Sequence, residues 1–257
     1  MTTAIVVLAH ATDSGAASVV AWLARELGPE IVRVVRPEAL SRARWSHHID
    51  AHGRASTRLT LPDAEPLVSA EASAVLNRIR YLPMPGFRRA SAKDRDYAGA
   101  ELQAVVASWL ASFGDRAIHA VRRHPWVTPL LPLQLWASAA AACGLPVAPR
   151  TIANSTRVQG AVSGVACGDE ADLAKGVTAG TVLVAGRDVG GALVDRYGTP
   201  CLAAARLLGF PLMEFRFAVE GHNTRLVWVD PLPPLVEPWA AALTGKLLRS
   251  LLREESP

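Results

Sequence analysis

The 257-residue sequence predicts an α/β protein, and three observations carry that prediction. Near the N-terminus a continuously apolar run, Ala4 to Ala9, precedes an amphipathic stretch and a second apolar run, Ile31 to Val35. Strands buried on both faces of a parallel sheet read in this unbroken way. Near the C-terminus a helical segment closed by Gly209 leads into two strand-like runs, Leu212 to Phe217 and Leu226 to Val229, joined by Gly-His-Asn. That pattern reads as a helix followed by two strands joined by a turn. Finally, half the residues are hydrophobic and 19% are charged, enough for a sizeable core and against wholesale disorder.

Taken in order, Ala4 to Ala9 is a buried strand, and His10-Ala-Thr-Asp-Ser-Gly15 is a turn with capping residues. Ala16 to Leu27 follows as a helix, and Gly28-Pro29 closes it. The loop after the first strand holds one glycine, so a dinucleotide-binding fingerprint is absent. Trp45 to Arg54 and Ser56 to Leu61 read as a hairpin turning at Ala51 to Arg54. Val75 to Arg80 is a strand. A helix follows Asp94 and ends near Phe113, with Tyr97, Leu102, Val105 or Val106, Trp109 and Leu110 inward. The acids and Arg95 between Asp94 and Glu101 suit capping and pairing of that helix.

Ala117 to Val121 is another strand, and Gln134 to Cys143 a helix stopped by Gly144 and Pro146. Thr181 to Ala185 is a strand and Asp188-Val-Gly-Gly191 a turn. Pro200 suits the first turn of the next helix, along which Leu202, Ala205 and Leu208 keep helical spacing. Trp239 to Leu252 is a C-terminal helix whose last turns carry Lys246, Arg249 and Arg253.

The net charge is +4, and only Lys93, Lys175 and Lys246 are lysines. Arg78, Arg80, Arg88, Arg89, Lys93 and Arg95 cluster, but acids follow at once, so a nucleic-acid face is not expected. Three separated cysteines, Cys143, Cys167 and Cys201, argue for a reducing compartment and against a disulfide frame. The first ten residues run straight into a strand without a basic leader, and no apolar run reaches 18 residues. The expectation is a cytoplasmic protein that does not enter a membrane.

Two sets of side chains are candidate sites on residue type alone. On an extended strand His48, Asp50 and, if the strand continues, His52 share a face; imidazole and carboxylate are competent metal ligands, though a polar face beside a turn reads the same way. Arg78, Arg157, Arg187 and Arg216 could converge on an anion, since arginine grips carboxylate and phosphate in a forked geometry. Ser155, Thr156 and Gln159 could line a cleft or simply form a linker. No nucleophile elbow, Walker loop or His-Glu-x-x-His motif is present.

The segment Thr199 to Pro234 runs helix, Gly-Phe-Pro, strand, turn, strand, Asp-Pro-x-Pro. This order resembles the C-terminal core of the ATP-grasp superfamily, whose members join a carboxylate to an amine through an acyl-phosphate made from ATP. Leu76-Asn-Arg, Asp94-Arg-Asp-Tyr-Ala, Glu101-Leu, Ser108-Trp-Leu, the Leu-x-x-x-Trp near Gln134 and Gly144-Leu-Pro resemble the branch linked to peptide modification and cofactor pathways. The resemblance implies a parallel-sheet N-terminal domain of the kind that precedes an ATP-grasp core, residues 1–150, and a reduced ATP-grasp-like core, residues 151–257. It also implies magnesium held by an acid on the first core strand and a Glu-x-Asn pair at the end of the second. Those positions carry Arg216, Trp228 and Asp230 here. The stretch from Thr151 to Gly198, where a central subdomain would supply two lysines, is short and holds only Lys175.

Three readings follow from the resemblance. In the first, the protein is a degenerate ATP-grasp-like binding or accessory subunit, with an Arg216–Asp230 ion pair in the old metal position. In the second, it is an active ATP-dependent carboxylate–amine ligase that uses ATP and magnesium with ligands drawn from Asp188, Asp195, Glu214 or Glu220. In the third, it is a small-molecule enzyme reusing these acids and histidines. A core sheet without its usual cover implies a homodimer, or a complex with an active relative.

Overall fold

The structure is a computed structural model that describes residues 4–53, 55–62, 65–83, 89–119, 132–147, 178–220 and 223–253. By compactness the chain divides into two units. One comprises Met1–Pro129 with Pro234–Pro257, the other Leu130–Pro233.

In the first unit β1 (Ala4–Leu8) lies parallel to β2 (Val32–Val35) on one side and to β6 (Ala72–Asn77) on the other. β7 (Ala117–Ile118) extends the sheet beyond β6, giving the order β2-β1-β6-β7. Ile5 to Leu8 and all six residues of β6 are buried, the polar Ser73 and Asn77 included; β6 begins three residues before the expected start at Val75. α1 (Ser14–Leu27) crosses from β1 to β2; Asp13 caps it by accepting from the Ala16 amide at 2.9 Å. A short α2 (Pro37–Arg42), not anticipated from the sequence, follows β2.

α6 (Pro238–Arg253) belongs to this unit because it packs on α1. The two helices approach closely enough that a Cβ on Gly245 would sit 2.0 Å from the Trp22 ring.

The expected hairpin is present as β3 (Arg44–Ile49) and β4 (Ala55–Thr60), with Ile49 opposite Ala55. β5 (Leu67–Val68) completes a three-stranded sheet in the order β3-β4-β5. Its inner face meets α3 (Ala92–Ser112): Trp45 packs edge-on to Trp109, and His47 bridges Thr57 and Ser108 at 2.7 and 2.8 Å. Ser91 caps α3 by accepting from the Asp94 amide. Val106, Trp109 and Leu110 are buried as expected, but Tyr97 is 68% exposed. The first turns of α3 lie outside the packed stripe, so the inward face begins later than the pattern predicts.

The second unit places β8 (Thr178–Ala185), β9 (Asp188–Gly190), β10 (Leu212–Glu220) and β11 (Asn223–Asp230) in an antiparallel sheet, order β11-β10-β8-β9. Asp188 to Gly190 is thus a strand rather than a turn. The turn sits one step earlier, at Gly186-Arg187, where Gly186 adopts a positive φ of 65°. Two helices cover one sheet face. α4 (Leu133–Ala142) contributes Trp136 and Ala140 to the core, and α5 (Val194–Leu208) contributes Tyr197, Cys201, Ala204, Ala205 and Leu208.

Pro200 lies inside α5, not in its first turn. A proline mid-helix removes one backbone hydrogen bond, but the buried stripe from Tyr197 to Leu208 spans it and the helix starts at Val194. Gly209 ends α5 in the left-handed region at φ 77°, as its position predicts. Met213, Phe215 and Phe217 of β10 point into this core, and Phe217 stacks on Tyr197 with ring centroids 4.6 Å apart.

Candidate functional site

Residues two apart on a strand share a face. Because Met213, Phe215 and Phe217 fill the core, Glu214 and Arg216 emerge on the opposite side of β10. Pairing with β11 sets Glu214 across from Asp230 and Arg216 across from Trp228. Four side chains thereby form one patch at the C-terminal end of the hairpin, beside an irregularity in the register between Arg216 and Phe217.

Arg216 is tied to both acids. Its Nε donates to Glu214 Oε2 at 2.7 Å, and its Nη2 lies 3.5 Å from Asp230 Oδ2. Asp230 is fixed from the other side, its Oδ1 accepting from the Leu232 amide at 2.8 Å. The side chains are 12% (Glu214), 27% (Arg216) and 25% (Asp230) exposed. Burial pushes the Glu214 carboxyl above its ordinary range; Arg216 pulls it part of the way back, and neighbouring Asp230 adds to the rise. The guanidinium is shared between two carboxylates, so it has no unpaired positive charge to offer an anionic ligand.

The chemistry of this donor set does not fit magnesium. A hard dication takes oxygen ligands in near-octahedral geometry. Trp228 offers none, and Arg216 brings a fixed positive charge into contact with both carboxylates present. Among the described residues no group of three or more His, Cys, Asp or Glu could hold a metal ion. Asp188 and Asp195 are exposed at the starts of β9 and α5.

His48 is exposed on β3, while Asp50 and His52 lie in the turn, where Asp50 Oδ1 accepts from the His52 amide at 2.8 Å. The carboxylate therefore organises the turn, and the three residues are not gathered as a ligand set.

Of the arginines considered for anion binding, Arg78 is buried in the first unit and clamps Asp13, Nε to Oδ2 at 2.8 Å and Nη2 to Oδ1 at 3.2 Å. Its Nε and Nη2 are turned toward the cap of α1. Arg187 is exposed in the β8–β9 turn. Arg157, Ser155, Thr156, Gln159 and Lys175 lie outside the described residues, as does most of the stretch read as a shortened central subdomain. Missing from the sequence reading was Glu214 as the closer partner of Arg216. An acid and a base two apart on one strand is the signal that could have found it.

No family model matches the sequence, and no curated protein matches it significantly. Solved structures do match the fold. The chain is similar to a macrocyclase, MdnC of Microcystis aeruginosa MRC bound with the precursor peptide MdnA, with TM-score 0.66 and 11% identity over 96% of this chain and 99% of that one. It is similar to a RiPP-associated ATP-grasp ligase of Chryseobacterium gregarium in complex with ADP and a leader and core peptide: TM-score 0.68, 13% identity, 99% and 98% covered. It is also similar to the ATP-grasp ligase PsnB complexed with a minimal precursor, with TM-score 0.63 and 15% identity over 97% and 99% of the two chains. The chain therefore has an ATP-grasp-like fold. Among the described residues no helix is long and apolar enough to cross a membrane.

Proposed function

We propose that this protein is an ATP-grasp-like protein without full ligase chemistry that acts as a binding or accessory subunit in a peptide-modification pathway. The observation that carries the reading is Arg216 held between Glu214 and Asp230, at the position the resemblance assigns to magnesium. Phosphoryl transfer from ATP rests on positioning and on neutralising phosphate charge with metal and cationic side chains. A guanidinium spent on two protein carboxylates supplies neither. The peptide part of the reading is supported by the fold neighbours, whose structures hold a precursor peptide or a leader and core peptide.

In such a role the subunit would present a peptide to a catalytic partner, either an active ATP-grasp ligase or a second copy of this chain. Size-exclusion chromatography with light scattering, alone and with a ligase of the same pathway, tests this directly. A protein that stays monomeric and unassociated in both runs would contradict the accessory role.

A second reading, an active ligase with non-standard metal ligands, is favoured by one observation. Two carboxylates, Glu214 and Asp230, remain across from each other on the hairpin. It requires Arg216 to leave both when Mg-ATP arrives. Nucleotide-dependent stabilisation separates the readings, because a fold that binds ligand is stabilised by mass action.

A further inference from the structure

The β3–β4 hairpin of the first unit has two unlike faces. Its inner face, Trp45, His47, Thr57 and Leu59, packs toward α3 or the unit's core. Its outer face comprises Arg44, Ser46 and His48 of β3 and Ser56, Arg58 and Thr60 of β4, every one of them exposed. The register sets Arg44 opposite Thr60, Ser46 opposite Arg58 and His48 opposite Ser56. Arg58 therefore has Arg44 and His48 as its two diagonal neighbours, each about 7 Å away. Among these six described residues three are basic and none is acidic. Among the described residues neither Arg44 nor Arg58 makes an ion pair. β3 is also an edge strand: the sheet order is β3-β4-β5, and no described strand pairs with its outer side.

We propose that this face docks an acidic peptide, which adds as an extended strand to the outer edge of β3 and sets carboxylates against Arg44 and His48, while Arg58, one strand further in on β4, adds its positive charge to the same face. An edge strand offers a row of backbone donors and acceptors that an extended chain satisfies, while alternate side chains lie along the sheet face. Along β3, Arg44 and His48 stand about 13 Å apart, the reach of four residues of an extended strand, so acids four apart on the peptide meet both. Carboxylate is the complement of a guanidinium that has no acid of its own. Single-stranded nucleic acid is the weaker candidate, because its binding uses aromatic side chains as stacking platforms. The hairpin's Trp45 is turned inward onto Trp109. The inference stands apart from the ion-paired patch on β10 and β11, since the hairpin belongs to the other unit.

The test is fluorescence anisotropy with the full chain and a labelled peptide, acetyl-Thr-Glu-Thr-Val-Thr-Glu-Thr-amide, at about 20 mM salt, where surface charge is weakly screened. The expected result is saturable binding that weakens about tenfold in Arg58→Glu and in Arg44→Glu, a loss typical of a reversed charge at an interface. Arg58→Lys should retain most of the binding, and Arg206→Glu, an exposed charge on α5, should leave it unchanged. N-methylation of alternate peptide amides should abolish binding on one alternation and not on the other, as strand addition demands.

Absence of binding, equal binding by Arg58→Glu, or indifference to N-methylation on both alternations would overturn the proposal. A thymidine oligonucleotide of equal charge that binds more tightly than the peptide would overturn it too. None of these outcomes depends on nucleotide, so they leave the reading of the β10–β11 patch to its own measurements.

Discussion

Replacing Arg216 by Met keeps the unbranched stem as far as the Nε position and removes the charge. The wild-type guanidinium satisfies Glu214 at 2.7 Å and reaches Asp230 at 3.5 Å. In the variant two carboxylates face each other across the hairpin with no cation between them. Removing one partner of a fully buried pair costs about 3–5 kcal/mol. Arg216 is 27% exposed and its second contact is long, so solvent screening reduces the expected loss to roughly 1–3 kcal/mol near neutral pH. The loss should shrink on acidification, because Glu214 already sits above its ordinary range through burial and takes up a proton first.

Native-state hydrogen exchange of peptides spanning residues 212–230, read by mass spectrometry, reports the local stability of this hairpin. The double variant Arg216→Met with Glu214→Gln should recover a large part of the loss, which measures the coupling. A change below about 0.5 kcal/mol with no dependence on pH would refute the argument that the ion pairs organise the patch.

Four other outcomes follow. Glu214 binds its proton more tightly folded than unfolded, so it contributes stability below its unfolded value near 4.5 and loses it as pH rises from there toward its folded value; Glu214→Gln should flatten that fall in urea titrations across the acidic range. Gly245→Ala places a Cβ 2.0 Å from the Trp22 ring, and overpacking of this kind costs about 1–3 kcal/mol, or a Tm lower by roughly 2–10 °C in a calorimetric scan. Burial pushes the Cys201 thiol up to about 12, so it should resist iodoacetamide in the native protein while half-buried Cys143 is alkylated, as peptide mapping would show. Gly209→Val should destabilise α5 by about 1 kcal/mol or more, because its φ of 77° is unfavourable to a branched residue, and thermal unfolding would register it.

Most of the fold was legible because its elements carry periodic apolar patterns. The unbroken run of β1, the stripe of Val106, Trp109 and Leu110, and the glycine that ends α5 each state a local preference that packing then confirms. The misreadings came where tertiary packing overrode a local signal. Pro200 looked like a helix start, but the buried stripe of α5 extends to both sides of it. Asp188-Val-Gly looked like a turn, but its backbone pairs with β8. Tyr97 kept helical spacing with the buried residues and yet lies beyond the surface that α3 covers.

The candidate site was legible in part. The resemblance to an ATP-grasp core implied that Arg216 lies near Asp230, and the structure places them 3.5 Å apart. The stronger contact to Glu214 was missed because that residue was considered only as a spare acid. Convergence of distant arginines is a tertiary property with no local signature. Arg78 illustrates the point: its partner, Asp13, lies 65 residues away in sequence and caps a helix.

Arg216 is proposed to stand in place of a metal and to leave no full ligase chemistry. Thermal unfolding of the intact chain with millimolar ATP, with and without magnesium, tests it most directly. A ligand at 100 times its dissociation constant stabilises a fold by about 2.7 kcal/mol, which a protein of this size shows as a Tm rise of several degrees. No magnesium-dependent rise is expected, in the wild type and in Arg216→Asp alike. A clear rise in the wild type that requires magnesium would contradict it and move the active-ligase reading to first place.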